Sequence, residues 1–138
     1  MCNALPLFKT LKFTLMPIVL YNDRFLDAIS WFMQVGGISL FPFIILRERY
    51  RDGGQWWVQR GKETINHESI HYYQARELLV VPFYILYVLE YIVKSIIYLS
   101  IDKGYKNISF EREAYGHEAD LGYLNSRRCC SWVKRIIK

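Results

Sequence analysis

The sequence predicts an α+β chain, mainly helical, with a small β-hairpin or edge strand ahead of a helix carrying the motif His67-Glu68-x-x-His71. Three observations predict it. Apolar residues recur at three- and four-residue spacing over most of the chain, as they do in helices with one buried face. Residues 38–46 are instead rich in β-branched and aromatic side chains, which favour strands. The length of 138 residues suits one core and no more, so residues 1–138 are expected to form a single domain.

The elements follow in order. Residues 5–20 are apolar but hold Lys9, Lys12 and Pro17, and read as a short helix or an interfacial arm. Residues 1–21 are accordingly the candidate membrane-interfacial arm. Two lysines followed by an apolar run suggest a signal peptide, yet Asn22-Asp23-Arg24 stands where a small-residue cleavage site belongs, so no cleavable signal is expected. Asn22 caps a helix in which Phe25, Leu26, Ile29, Phe32 and Met33 share a face, and Gly36-Gly37 closes it.

Residues 38–46 then form a strand, which Pro42 either interrupts or confines to a sheet edge, because proline cannot donate to a ladder. Arg51-Asp52-Gly53-Gly54 offers turn chemistry, and residues 55–59 are expected to return as the second strand. Thr64 or Asn66 caps the motif helix, which runs through His67, His71, Ala75 and Leu78 until Pro82 limits or kinks it. Residues 83–101 form a long apolar helix. Asp102-Lys103-Gly104 breaks it, and Ser109 opens another helix reaching about Leu124.

Composition narrows the function classes. Hydrophobic residues make up 52% and aromatic residues 17% of the chain, and mean hydropathy is near zero, a profile that suits a protein against a membrane. The net charge of +5 is scattered apart from Arg47, Arg49 and Arg51 and a basic tail, residues 126–138. No recognition fold or concentrated basic helix accompanies it, so nucleic acid is not an expected partner. The tail alternates basic and apolar residues, as lipid-docking segments do and as plain helix ends also do. Cys2, Cys129 and Cys130 are odd in number and two are adjacent, which builds no disulfide framework and points to a reducing compartment, the cytoplasmic side. For the adjacent pair, lipidation, metal chelation and no role all stay open.

The chemistry is concentrated in the motif. One helical turn sets His67 and His71 on the same face, where their imidazoles can bind one metal ion. Zinc accepts imidazole nitrogen and tolerates an open fourth position, so a water there can be acidified toward neutral pH. Glu68 adjoins that position and can take the proton. A third ligand is needed, and Glu111, Glu113 and His117 lie together in a downstream helix; Glu111 is favoured. Glu118, Asp120 and Glu113 read otherwise as a solvated helix face.

The pairing of His67-Glu68-x-x-His71 with Glu111-x-x-Ala114-Tyr115 resembles the gluzincin metallopeptidases, including the membrane-associated CAAX-prenyl endopeptidase and heat-shock peptidase group. That resemblance implies a zincin-like fold, Glu111 as third zinc ligand, and a small Ala114 where the two active-site helices pack. The second motif of those peptidases is typically Glu-x-x-Ala-Asp. Tyr115 stands here in place of the aspartate and cannot supply a carboxylate to orient a histidine, which leaves that partner open, while the tyrosine hydroxyl can donate to an oxyanion. Tyr72, Tyr73 and His117 are further candidates for that role.

Residues 78–101 are apolar enough to span a bilayer, but one crossing between His71 and Glu111 would put the halves of the site on opposite sides. Tyr84, Tyr87, Tyr91, Lys94 and Tyr98 share a face, and Glu90 with Lys94 can form an i to i+4 ion pair. The expectation is a helix partly buried in the protein and either seated in the membrane interface or wholly in a soluble core. Together these readings give a zinc-dependent metallopeptidase acting on a peptide or protein, with residues 38–46 pairing to the substrate main chain. The rivals are a membrane-associated scaffold with a structural or vestigial metal site, and a zinc hydrolase of non-peptide amides.

Overall fold

The computed structural model describes residues 16–30 and 36–136. The expectations for residues 1–15, for Phe32 and Met33, and for the last two residues of the tail lie outside them. The described residues form a mainly helical protein with a small three-stranded sheet.

Strand β1 (Ile18–Tyr21) runs parallel to β3 (Phe43–Leu46), and β2 (Gly37–Leu40) pairs antiparallel with β3 on its other side. The order is β1-β3-β2, so β3 is the interior strand and β2 an edge. The expected hairpin therefore closes inside residues 38–46. Pro42, having no N–H to give a ladder, falls in the two-residue turn between β2 and β3. The stretch read as an interfacial arm ends in β1, a strand held in the sheet. Between β1 and β2, helix α1 (Asp23–Ile29) starts as expected, the Asn22 side chain accepting from Phe25 N–H at 3.0 Å.

Residues 55–59, expected as the second strand, form instead the first turns of α3 (Gln55–Glu77), which follows the short α2 (Arg49–Asp52). The aromatic pair Trp56-Trp57 suggested a strand, but Trp57 packs onto Tyr50 and the sheet residues Ile44 and Leu46 at helical spacing with Ile65. Gly61 lets this contact form, since a Cβ there would lie 2.9 Å from that of Tyr50. Thr64 and Asn66 thus sit inside the helix and cap nothing at its start.

A turn with Leu79 and Val80 in left-handed backbone follows, and Pro82 falls in the first turn of α4 (Val81–Tyr98), where its missing N–H costs nothing. Leu99, also left-handed, ends α4. Ser100 then caps α5 (Ile101–Lys106), so the break expected at Asp102-Lys103-Gly104 comes earlier and those residues are helical. Gly104 allows α4 and α5 to touch, a Cβ there lying 2.6 Å from the Ser95 Cα. Helix α6 (Ser109–His117) stops short of the expected Leu124, and α7 (Tyr123–Ser126) and a 3-10 helix (Ser131–Arg135) complete the chain.

A second core joins α3, α4 and α6 through Ala75, Phe83, Ile108 and Phe110, with Tyr84, Tyr87, Tyr91 and Trp132 around them. Glu90 does not pair with Lys94. Its carboxylate accepts from the N–H of Ser109 at 2.9 Å and its Oγ at 2.6 Å, capping the start of α6 where negative charge is favoured. Lys94 donates to the Ile136 carbonyl. Both charges of α4 are thus drawn inward, and its outward half is aliphatic and exposed. Val81–Tyr98 is long and apolar enough to cross a membrane.

Candidate metal centre

Helix α3 is buried nearly all round from Asn66 to Ala75, and most of what it buries there is polar. Buried polar groups need partners, and those partners build the site. The Asn66 amide nitrogen lies 2.9–3.0 Å from the carbonyls of His117, Glu118 and Asp120, pinning the chain just past α6 against α3. Glu118 is held so that its Oε2 meets His67 Nδ1 at 3.0 Å. One turn on, Gln74 donates from its nitrogen to the Phe110 carbonyl and to Glu113, which leaves its oxygen to accept from His71 Nδ1 at 2.8 Å.

Those two contacts fix the imidazoles. A carboxylate and an amide oxygen can only accept, so each histidine carries a proton on Nδ1 and turns Nε2 inward. The two Nε2 atoms are 3.2 Å apart. Glu111, brought over by α6, sets its carboxylate 3.1 Å from Nε2 of His71 and 3.3 Å from Nε2 of His67. All three side chains are buried, and Glu111 Oε2 has no hydrogen-bond partner among the described residues. Tyr87 donates to Glu111 Oε1 at 2.5 Å.

The donor set fits a small divalent cation. Four ligands at 2.0–2.1 Å around zinc stand about 3.3–3.4 Å from one another when tetrahedral; here the two Nε2 atoms are 3.2 Å apart, Oε1 of Glu111 is 3.1 Å from that of His71 and Oε2 3.3 Å from that of His67. The charges agree. Burial alone would lower the His67 imidazole, but Glu111 and Glu118 outweigh it and push it up to about 10. His71 is likewise raised, burial being overcome by Glu111. Burial would raise the Glu111 carboxyl, yet the two imidazoles hold it below its ordinary range. Two nitrogens and a carboxylate so arranged require a cation between them, a proton or a metal.

Glu68 projects beside this cluster and accepts from the N–H of Ser39 on β2. Its pKa is raised, chiefly by burial and against the pull of both histidines, which makes it a better proton acceptor than an exposed carboxylate. Two cavities meet at Glu68. One, of about 390 Å³, is lined by β2 and by Phe83, Tyr84, Tyr87 and Tyr91 of α4; the other, of about 190 Å³, is lined by Arg60, Thr64, Tyr115 and Glu118. Tyr105 lines both.

The structure thus brings His67, His71, Glu111 and Glu68 together and leaves other candidates apart. Tyr115 is half exposed with its ring against His67, centroids 4.6 Å apart, and lines the smaller cavity. Tyr72 is a core residue stacked on Phe41, and His117 stacks on Tyr123 with its Nε2 beside Arg135. Glu113 faces away from Glu111, but it is no solvated residue: fully buried, it pairs with Arg127 at 2.6 Å and accepts from Gln74 and Tyr123. Glu118, also expected on a solvated face, orients His67. Sequence reasoning missed Glu118, Gln74, Tyr87 and Tyr105; an acceptor-bearing residue three positions past His71 is the only local signal among them. Ser39 of β2 presents its backbone groups to Glu68 and Tyr84, and Phe41 in the turn after it donates its N–H to Tyr84, so the edge expected to pair with substrate is partly taken.

Comparison with known protein families, curated proteins and solved structures finds no match.

Proposed function

We propose that this protein is a zinc-dependent hydrolase, a metallopeptidase with His67, His71 and Glu111 as its metal ligands, similar in ligand set and zincin-like arrangement to the gluzincins. The observation that carries the reading is the pair of inward Nε2 atoms, each fixed by an acceptor on its own Nδ1, facing a buried carboxylate whose Oε2 has no donor among the described residues. Zinc bound there supplies Lewis acidity and makes a water nucleophilic at neutral pH. Glu68 takes the proton of the attacking water and returns it to the leaving amine. Tyr115 and Tyr105, at the cavity walls, donate to the oxyanion. The larger cavity receives an apolar side chain of the peptide, and with Tyr84 on β2 the substrate main chain can pair at Gly37.

Metal analysis and a peptide-library digest read by mass spectrometry test this together. Zinc is expected in the wild type, and His67→Ala should hold one equivalent fewer. Glu68→Gln should retain zinc and lose cleavage by about 10²–10⁴-fold. Cleavage undiminished in Glu68→Gln ends the peptidase reading, and zinc retained without cleavage in the wild type favours a structural metal site.

The reading also places the protein at the cytoplasmic face of a membrane. Ile85, Val88, Leu89, Ile92, Val93 and Ile96 are all about half exposed or more and span an arc of about 140° around α4 at 100° per residue. The inner half is tied to the protein from Phe83 to Lys94, so the helix lies along the bilayer surface and does not cross it.

A further inference from the structure

Far along α3 from the proposed centre, Glu77 meets the adjacent cysteines of the tail. Neighbouring side chains in extended backbone point apart, but Cys130 adopts left-handed φ and ψ of 57° and 31°, uncommon for a residue other than glycine. That conformation is held by the Cys130 N–H donating to Glu77 Oε2 at 3.1 Å. Its result is to bring Cys129 Sγ and Cys130 Sγ to 3.5 Å on one side of the chain. The two sulfurs and a Glu77 oxygen lie within 4.8 Å of one another, and both cysteines are exposed.

We propose that Cys129, Cys130 and Glu77 form a second metal site, one for a thiophilic divalent cation of the zinc and cadmium class. Sulfur ligands at 2.3 Å around a tetrahedral zinc stand about 3.8 Å apart, so the thiols need move only a few tenths of an ångström. Two thiolates select soft or borderline cations over magnesium and calcium, whose ligands are oxygens. The charge is suitable. Arg127 pairs with Glu77 and with Glu113 at once, so one positive charge is shared between two carboxylates and the cluster stays anionic. The fourth position faces solvent, which gives the ion a way in.

Partial burial, the neighbouring Cys129 sulfur and Glu77 push the Cys130 thiol up to about 11, against the opposing effect of Arg127. A cation must therefore displace the Cys130 proton, as thiolate sites in general require.

Cadmium titration of the full-length apo protein, read by the ultraviolet thiolate-to-cadmium charge-transfer band, tests the site. His67→Ala should develop the band to saturation at one equivalent per chain, and the wild type should reach the same amplitude by two equivalents, since imidazole and carboxylate bind the ion without producing it. Cys129→Ser with Cys130→Ser should abolish it, and Glu77→Gln should weaken binding about tenfold or more. A wild type without the band, or a double variant that keeps it through Cys2, overturns the proposal. The proposed catalytic centre is read by the zinc that His67→Ala loses in the Cys129→Ser, Cys130→Ser background, so the two sites succeed or fail separately.

Discussion

Each imidazole of the candidate centre has one nitrogen committed outward, to Glu118 or to Gln74, and this commitment aims the other. Glu118→Ala and Gln74→Ala should each weaken zinc binding about 10- to 100-fold without removing a ligand, which competition with a chromophoric chelator measures. Glu113 supports the same arrangement from behind, because its ion pair with Arg127 presents Oε2 to the Gln74 nitrogen. Burial would raise the Glu113 carboxyl, but Arg127, Gln74 and Tyr123 hold it below its ordinary 4.5. A carboxyl lowered on folding stabilises the native state above its unfolded value, and that contribution disappears as the pH falls below about 4.5 and through the lowered value. Glu113→Gln should therefore cost about 3–5 kcal/mol near neutrality by leaving a buried guanidinium half paired, and its unfolding midpoint should vary less with pH in the acid range. The ligands were legible in the sequence because two sit at fixed helical spacing and the third belongs to a second compact motif. The groups that aim them were not, since Glu118 reaches His67 across 51 residues and Glu113 reads locally as an exposed acid.

Among the elements, α4 shows how far periodicity carries. Its length and the inward tyrosines follow from the spacing, and Tyr84, Tyr87 and Tyr91 do pack on the core. The ion pair that the same spacing suggested does not form, because the unsatisfied first turn of α6 offers Glu90 two donors and outcompetes a solvated lysine. With both charges of the helix drawn inward, replacing Ile92 by glutamate should sharply reduce flotation with anionic lipid vesicles. Ile92→Ala, which keeps the face neutral, should reduce it only modestly; equal flotation of Ile92→Glu and wild type would remove the membrane contact. The strand prediction failed at residues 55–59 for a related reason. Propensity favoured a strand there, yet the turn at Pro42 had already closed the hairpin, and helical spacing buried Trp57 against Tyr50.

At the scale of the whole molecule, the proposed ligands come from α3 and α6, which are joined through α4 and α5 and held together by Asn66. An ion shared between them would bind the folded chain and not the unfolded one, so zinc at a hundredfold excess over its dissociation constant should add about 2.7 kcal/mol of stability. Calorimetric scans with zinc and with a chelator check this, and identical midpoints would contradict a bound ion.

The sheet carries one further consequence. β3 is an inner strand only because β1 lies alongside it. A chain shortened past Tyr21 would bare the row of N–H and C=O groups from Phe43 to Leu46, next to the apolar side chains of Ile44 and Ile45. Such a row invites a strand from another molecule to add to it. β1 thus guards against self-association, and trimming it away to obtain a more soluble protein would produce the opposite.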